Sequence, residues 1–366
     1  MSNISRNPIV FIGTYTEHEG SQSKGIHIYR LNLSSGELTF QKEAIGILNP
    51  SYLDIHPEKK FLYAVNEVQS LAGQDGGGVS AFSIDPASGE LELLNAQSSR
   101  GKDPCYISIE QTGQFALVAN YSSGNAAMLP IQADGRLGPA TDVVRHSGSS
   151  VHPTRQTAPY AHSIVPDPTN RFAIAADLGA DKLVTYEMDL ENGKLNKHTE
   201  VKVKPGSGPR HSIFHPNGEY LYLFNELNST LIVFRYDSEA GHLEELQTIS
   251  TLPPGYEAES LGADLHIYGK YLYASNRKHD TIAWFLIDEN SSRLSYEGEI
   301  LSGGKVPRGF AIDPSGRFLL AAHERSDNVV VFQIDPATGK PVETGHEAKI
   351  SQPVCVKFID EEGKRS

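Results

Sequence analysis

"GPRHSIFHPNGEYLYLFNEL", residues 208–227, decides how this chain is read. Two short apolar runs flank His215-Pro216-Asn217-Gly218, a stretch rich in turn residues. Tyr220 and Tyr222 recur with the period of two that a strand requires, so the segment reads as an antiparallel hairpin. Its open end is polar: Arg210 and His211 begin it and Glu226 closes it. Antiparallel pairing brings the start of the first strand and the end of the second to the same place.

The hairpin recurs. "NPSYLDIHPEKKFLYAVNE" ends at Glu67, "DPCYISIEQTGQFALVANY" at Tyr121 and "APYAHSIVPDPTNRFAIAADL" at Leu178. "GADLHIYGKYLYASNR" ends at Arg277 and "VPRGFAIDPSGRFLLAAHE" at Glu324. The penultimate residues Asn66, Asn120, Asp177, Asn225, Asn276 and His323 stand 47 to 57 residues apart. A second strand pair follows, as in "GVSAFSIDPASGELELL", "TLIVFRYDSEAGHLEEL" and "NVVVFQIDPATGKP". Each is a β-branched and aromatic run, then Asp and a Gly turn, then another run. Helical periodicity is nearly absent.

A period of this length with four strands predicts β-propeller blades. Six repeats are complete. "QPVCVKFID" at 352–360 reads as a lone first strand, and "PIVFIGTYT", "GIHIYRLN" and "ELTFQKEAI" supply the other three from the N-terminal end. The prediction is all-β: one seven-bladed β-propeller domain over residues 1–366, with four antiparallel strands per blade. Its N-terminal strands pair with the C-terminal strand, which removes free sheet edges. An open solenoid of the same repeats would need capping repeats, and none is visible.

The chain has 366 residues, 39% of them hydrophobic and 21% charged, enough for a large core. No apolar run approaches a membrane helix, and the start lacks the basic and apolar regions of a secretory signal. Cys105 and Cys355 fit no metal spacing and read as reduced core thiols of a cytoplasmic protein. The net charge of −13 disfavours nucleic acid and anionic membranes as partners, yet leaves room for a local basic cleft. "GQDGGG" at 73–78 leads into a strand rather than a helix, which argues against a phosphate loop.

In a propeller the first strand of each blade lines the channel, so the polar hairpin ends gather at one mouth. That groups His162, Arg210, His211, Glu226 and Arg277 with Tyr15, Asn66, Glu67, Asn120, Asn276, Arg308 and His323. Each pair taken alone reads equally well as an exposed ion pair worth about 0–1 kcal/mol. Convergence of several arginines, histidines and glutamates on one concave place points instead to a site for a small anion.

These stretches resemble a known family, the seven-bladed propeller lactonases typified by bacterial 6-phosphogluconolactonase. The resemblance spans nearly the whole chain. It rests on "GTYT" with "SKGIHIY", on the hairpins quoted above, on "RQTAPYAHS" with "ADLGADKLVTY", and on "SNRKHDTIAWF". It implies hydrolysis of 6-phospho-D-glucono-1,5-lactone to 6-phosphogluconate in the pentose phosphate pathway. It implies no metal and no organic cofactor, a small anionic sugar lactone as ligand, and no obligate protein partner. A fungal relative is a cycloisomerase, and the positions of its active site correspond here to His162, Arg210, Glu226 and Arg277. His162 or Glu226 is expected to serve as base, with Arg210 and Arg277 steadying the oxyanion. Arg308, with Lys278 or His323, is expected to hold the phosphate, and the remaining mouth residues to bind substrate. Tyr106 and Tyr160 stand where relatives often carry His. The rival readings are a cycloisomerase, a lactonase for another lactone, and a non-catalytic binding propeller.

Overall fold

The computed structural model describes residues 7–359, so Asp360 of the expected last strand lies outside the described residues. Seven four-stranded antiparallel sheets follow one another along the chain, joined by a small hairpin of Ser70–Leu71 with Gln74–Asp75 in the glycine-rich loop. Each sheet runs in simple chain order from an inner to an outer strand, except the one that closes the ring. That sheet is ordered Leu38–Ile45, Gly25–Leu31, Ile9–Thr14, Pro353–Ile359, so three strands from one end of the chain meet one strand from the other. The pairing runs from Ile9 opposite Ile359 to Gly13 opposite Cys355 and, past a bulge, to Thr14 opposite Pro353.

The inner strands are Leu53–Ile55, Pro104–Ile109, Ala161–Pro166, Pro209–Phe214, Leu261–Tyr268, Pro307–Ile312 and Pro353–Ile359. Each packs against the next, and the last touches both Pro307–Ile312 and Leu53–Ile55. The expected seven-bladed propeller is the fold. Apolar side chains of neighbouring sheets interdigitate between blades: Leu117, Ile174, Leu183, Leu221 and Phe234 share one cluster drawn from three consecutive blades. Full burial of such side chains contributes about 1.5–3 kcal/mol each. Tyrosines on second strands add polar straps across the seams. Tyr63, Tyr222 and Tyr273 donate to the carbonyls of Gly135, Ser292 and Gly339 in the following blade, at 2.9, 2.9 and 2.8 Å. Outer strands are left largely to solvent, as in Leu38–Ile45.

One local irregularity repeats and sets up the mouth. Five inner strands carry a β-bulge at their second residue: the register skips Cys105, His162, Arg210, Arg308 and Val354. A bulge leaves one residue outside the ladder and re-aims its side chain. Three of the five bulged residues, His162, Arg210 and Arg308, are ionisable groups expected at the mouth.

The inner strands approach closely enough to exclude a methyl group. A Cβ on Gly309 would lie 2.2 Å from the carbonyl oxygen of Val354 in the next blade. Gly309→Ala is therefore expected to lower the unfolding free energy by about 1–3 kcal/mol through overpacking. Urea denaturation measures this, and an unchanged midpoint would contradict the close packing at the ring closure.

Candidate active site

Side chains alternate along a strand, so only one of two adjacent residues at a strand end can face the channel. The residues just past the penultimate positions face it: Glu67, Tyr121, Glu226, Arg277 and Glu324, joined by Tyr15. Cross-blade contacts establish this for all of them except Glu324, which pairs with its chain neighbour Arg325. Tyr15 reaches Glu67, Tyr121 packs on the His162 ring with centroids 5.4 Å apart, and Arg277 reaches Glu226.

The penultimate residues point into their own blades, which corrects the expectation that Asn66, Asn120, Asn276 and His323 line the mouth. Asn66, Asn120 and Asn276 donate to the carbonyls of Leu48, Ser99 and Thr251, at 3.0, 2.9 and 3.1 Å. Each carbonyl belongs to the link arriving from the preceding blade's outer strand. His323 turns its Nδ1 to the Asn328 carbonyl at 3.3 Å. The three asparagines fasten the blade connections, and His323 bonds within its own blade.

The four residues read as catalytic are brought together. Glu226 Oε2 accepts from Arg277 Nη2 at 2.7 Å and from Arg210 Nη1 at 2.9 Å, while Arg155 bonds Oε1. Arg210 Nη1 also donates to His162 Nε2, and Arg210 Nε donates to the Ala263 carbonyl of the next blade at 2.8 Å. The Arg210 Nη1 bond to Nε2 fixes the His162 imidazole as the tautomer protonated on Nδ1, which lies 3.6 Å from Cys105 Sγ. Burial alone would raise the Glu226 pKa, but Arg277, Arg210, His162 and Arg155 hold it well below the usual carboxylate range. Burial and Arg210 push His162 well below the ordinary imidazole value. Burial lowers Arg277 to about 10 against the pull of Glu226. Both groups expected to act as base therefore have their acceptor atoms engaged.

A second grouping stands across the mouth. Glu67 accepts from Tyr15 Oη at 3.2 and 3.1 Å and from the Ser51 hydroxyl. Arg308 lies with Cζ 5.3 Å from the Tyr15 ring centroid and Nη2 3.9 Å from Glu67 Oε1. Beneath the mouth, Tyr52 and Tyr106 stack at 4.3 Å and meet the edge of His211. His211 Nδ1 donates to Asp264 at 3.0 Å, and burial with Arg210 lowers its pKa to about 4. Lys278 pairs with Glu259.

Arg155, Asp264 and Ser51 escaped the sequence reading. Arg155 sits in an irregular loop, "RQTAPY", where no strand period announces direction. Asp264 did carry a signal, as a carboxylate within the otherwise apolar strand "GADLHIY" that the fold buries.

Comparison with known proteins follows the same geometry. Residues 9–358 match the model of a family described as lactonase, 7-bladed beta-propeller. The chain is 36% identical over 353 residues to a 6-phosphogluconolactonase of Bacillus subtilis, covering 96% of this chain and 98% of that protein. A 6-phosphogluconolactonase of Formosa agariphila is 35% identical over 90% of this chain and 94% of its own. The solved periplasmic gluconolactonase of Pseudomonas aeruginosa superimposes with a TM-score of 0.91 at 34% identity, covering 96% and 99% of the two chains.

Two outcomes test this geometry. Asn276→Ala leaves the Thr251 carbonyl unpaired and is expected to lower stability by about 1–3 kcal/mol. Turnover should stay within about threefold, and a large loss of turnover at unchanged stability would return Asn276 to the mouth. The second outcome concerns pH. His211 and His323 are both lowered to about 4 in the folded chain, so the unfolded chain binds their protons first. Stability is then full above about 6.5, the unfolded imidazole value. It falls as pH drops from there through 4, and Glu226 extends the loss to lower pH. Unfolding midpoints measured between neutrality and pH 4 should decline steadily; a flat profile contradicts the assignment.

Proposed function

The chain belongs to the seven-bladed propeller lactonase family, and from that footing we propose that it hydrolyses 6-phospho-D-glucono-1,5-lactone to 6-phosphogluconate. The observation that carries this reading is the charge balance at the mouth. Three guanidiniums, from Arg155, Arg210 and Arg277, converge on the single carboxylate of Glu226. The cluster keeps an excess of positive charge inside a chain whose net charge is −13. Forked guanidinium donors suit a phosphate group. Arg155 and Arg277 are the reachable members, with side chains 35% and 10% exposed, whereas Arg210 is 3% exposed and serves to hold the others.

With the phosphate there, the lactone ring extends toward Arg308 on the opposite side. Water attack on the ester carbonyl develops an oxyanion, which a preorganised guanidinium in a water-poor site stabilises strongly. The lost C–O bond opens the ring to the hydroxy acid. The reaction is the lactone-opening step of the pentose phosphate pathway, and its phosphorylated substrate makes the cytoplasm the place of action.

The name of the Pseudomonas aeruginosa neighbour, a periplasmic gluconolactonase, favours plain gluconolactone as a second reading. One assay separates the two, run against the spontaneous hydrolysis of each lactone. Arg155→Met should reduce kcat/KM for the phosphorylated lactone by about 10-fold to 100-fold, the worth of one charged hydrogen bond. The plain lactone should change by less than about threefold. Equal losses on both substrates would remove the phosphate from this cluster, and faster wild-type turnover of plain lactone would establish the second reading.

A further inference from the structure

We propose that Glu67 is the general base that activates the attacking water, with Tyr15 and Ser51 as its positioning residues and Arg308 as its electrostatic partner. The inference rests on the lactonase reading above and deepens it.

A base must offer a lone pair that a substrate-bound water can reach. Four other acceptors near the mouth meet this test less well. His162 Nε2 receives Arg210, and its side chain is 4% exposed. Glu226 is saturated by three guanidiniums and is 2% exposed. His211 keeps an unpartnered Nε2, but that atom is buried under Tyr52, Tyr106 and His162. Glu324 pairs through Oε1 with Arg325 at 3.2 Å, and its side chain is 10% exposed against 17% for Glu67.

Glu67 also accepts at both oxygens, but it differs in exposure and in the kind of donor it receives. Its side chain is 17% exposed, the same as Arg308 beside it. Its direct hydrogen-bond donors are two neutral hydroxyls, which orient the carboxylate and leave its basicity largely intact. The one guanidinium nearby stands 3.9 Å away, close enough for attraction and beyond a direct hydrogen bond. Burial raises the Glu67 pKa, and Arg308, Ser51 and Tyr15 offset that only in part. The contrast with Glu226, which is held well below the usual range, divides the labour between two carboxylates: one organises cations and the other accepts a proton.

The chemistry balances. Glu67 takes a proton from water as the water oxygen bonds to the lactone carbonyl carbon, and the carbonyl π pair moves onto oxygen beside Arg308. When that pair returns, the ring C–O bond breaks and the departing alkoxide takes the proton back from Glu67. The new carboxylic acid ionises to solvent. The net change is addition of one water and release of one proton.

The test measures kcat, KM and the pH profile on 6-phosphogluconolactone, above spontaneous hydrolysis. Glu67→Gln, which keeps the shape and one accepting oxygen, should lower kcat by about 10²–10⁴-fold with KM within about threefold. The acidic limb of the wild-type profile, placed above the ordinary glutamate value of about 4.3, should vanish in this variant. Glu67→Ala should regain rate with added formate in proportion to the ionised fraction, which a purely structural role does not produce. Tyr15→Phe removes a donor to the carboxylate and should move the acidic limb to higher pH, a readout that stands even where the Glu67 variants fold poorly. Undiminished turnover in Glu67→Gln, a retained acidic limb, or an unmoved limb in Tyr15→Phe overturns the assignment. A wild-type protein that accelerates no lactone overturns the lactonase reading and this inference together, whereas an active wild type with an active Glu67→Gln overturns this inference alone.

Discussion

The pairing of Ile9–Thr14 with Pro353–Ile359 is the interaction on which the rest of the molecule depends. It joins residues from opposite ends of the chain, so it bears the loop-closure entropy of nearly the whole protein. That entropy grows only with the logarithm of loop length, and a full strand ladder with apolar packing on both sides offsets it. Closure supplies the seventh blade with its inner strand and fixes the radius of the ring. Each inner strand then has a neighbour on both sides, at a separation that leaves no room for a Cβ on Gly309. The positions of the mouth residues follow from that radius.

The charged cluster is a consequence of this rigidity and not a source of it. Arg210 and Glu226 are nearly inaccessible to water, and taking such charges out of water opposes folding unless their geometry is well fixed. Apolar residues of similar size would hold the blades together at least as well. The arrangement makes sense as a preorganised field, in which the donors are already aimed before charge develops on a substrate. Backbone carbonyls take part, since Ala263 and Gly262 each accept from a guanidinium and set its plane. The apolar seams and tyrosine straps supply the stability that such a cluster needs from elsewhere.

The architecture was legible because strands repeat with period two and blades with a period near fifty residues, and both periods survive in the spacing of Asn66, Asn120, Asn225 and Asn276. The halves of the closing blade were legible because each was an incomplete repeat. The site was legible only in part. The sequence placed Asn66 beside Glu67 and Asn276 beside Arg277 at the same mouth, and a strand can present only one member of each pair. Which member faces inward depends on the register of the ladder, and the bulges that shift this register leave no mark in composition. Arg155 was hidden for a different reason: a loop without periodicity conveys no direction, and its side chain meets Glu226 across 71 residues of chain.

The bulge also explains how one scaffold accommodates a reacting centre without disturbing its ladders. The bulged residue forms no cross-strand pair, so the hydrogen bonds that hold the blade do not depend on its identity. In this chain the position carries a thiol in one blade, an imidazole in the next, and guanidiniums in two others. Ser51 takes the corresponding place in the first blade, judged by the backbone bond from Glu67 to Asn49, and it is the residue that holds the Glu67 carboxylate. The strand-end residues form a second set with the same freedom, since all but Arg277 follow the last paired position of their strands. Charge can therefore be distributed unevenly around a nearly symmetric ring. Here cations crowd Glu226 on one side, and hydroxyls surround Glu67 on the other. A site with two unlike poles is what an asymmetric substrate, anionic at one end and electrophilic at the other, requires.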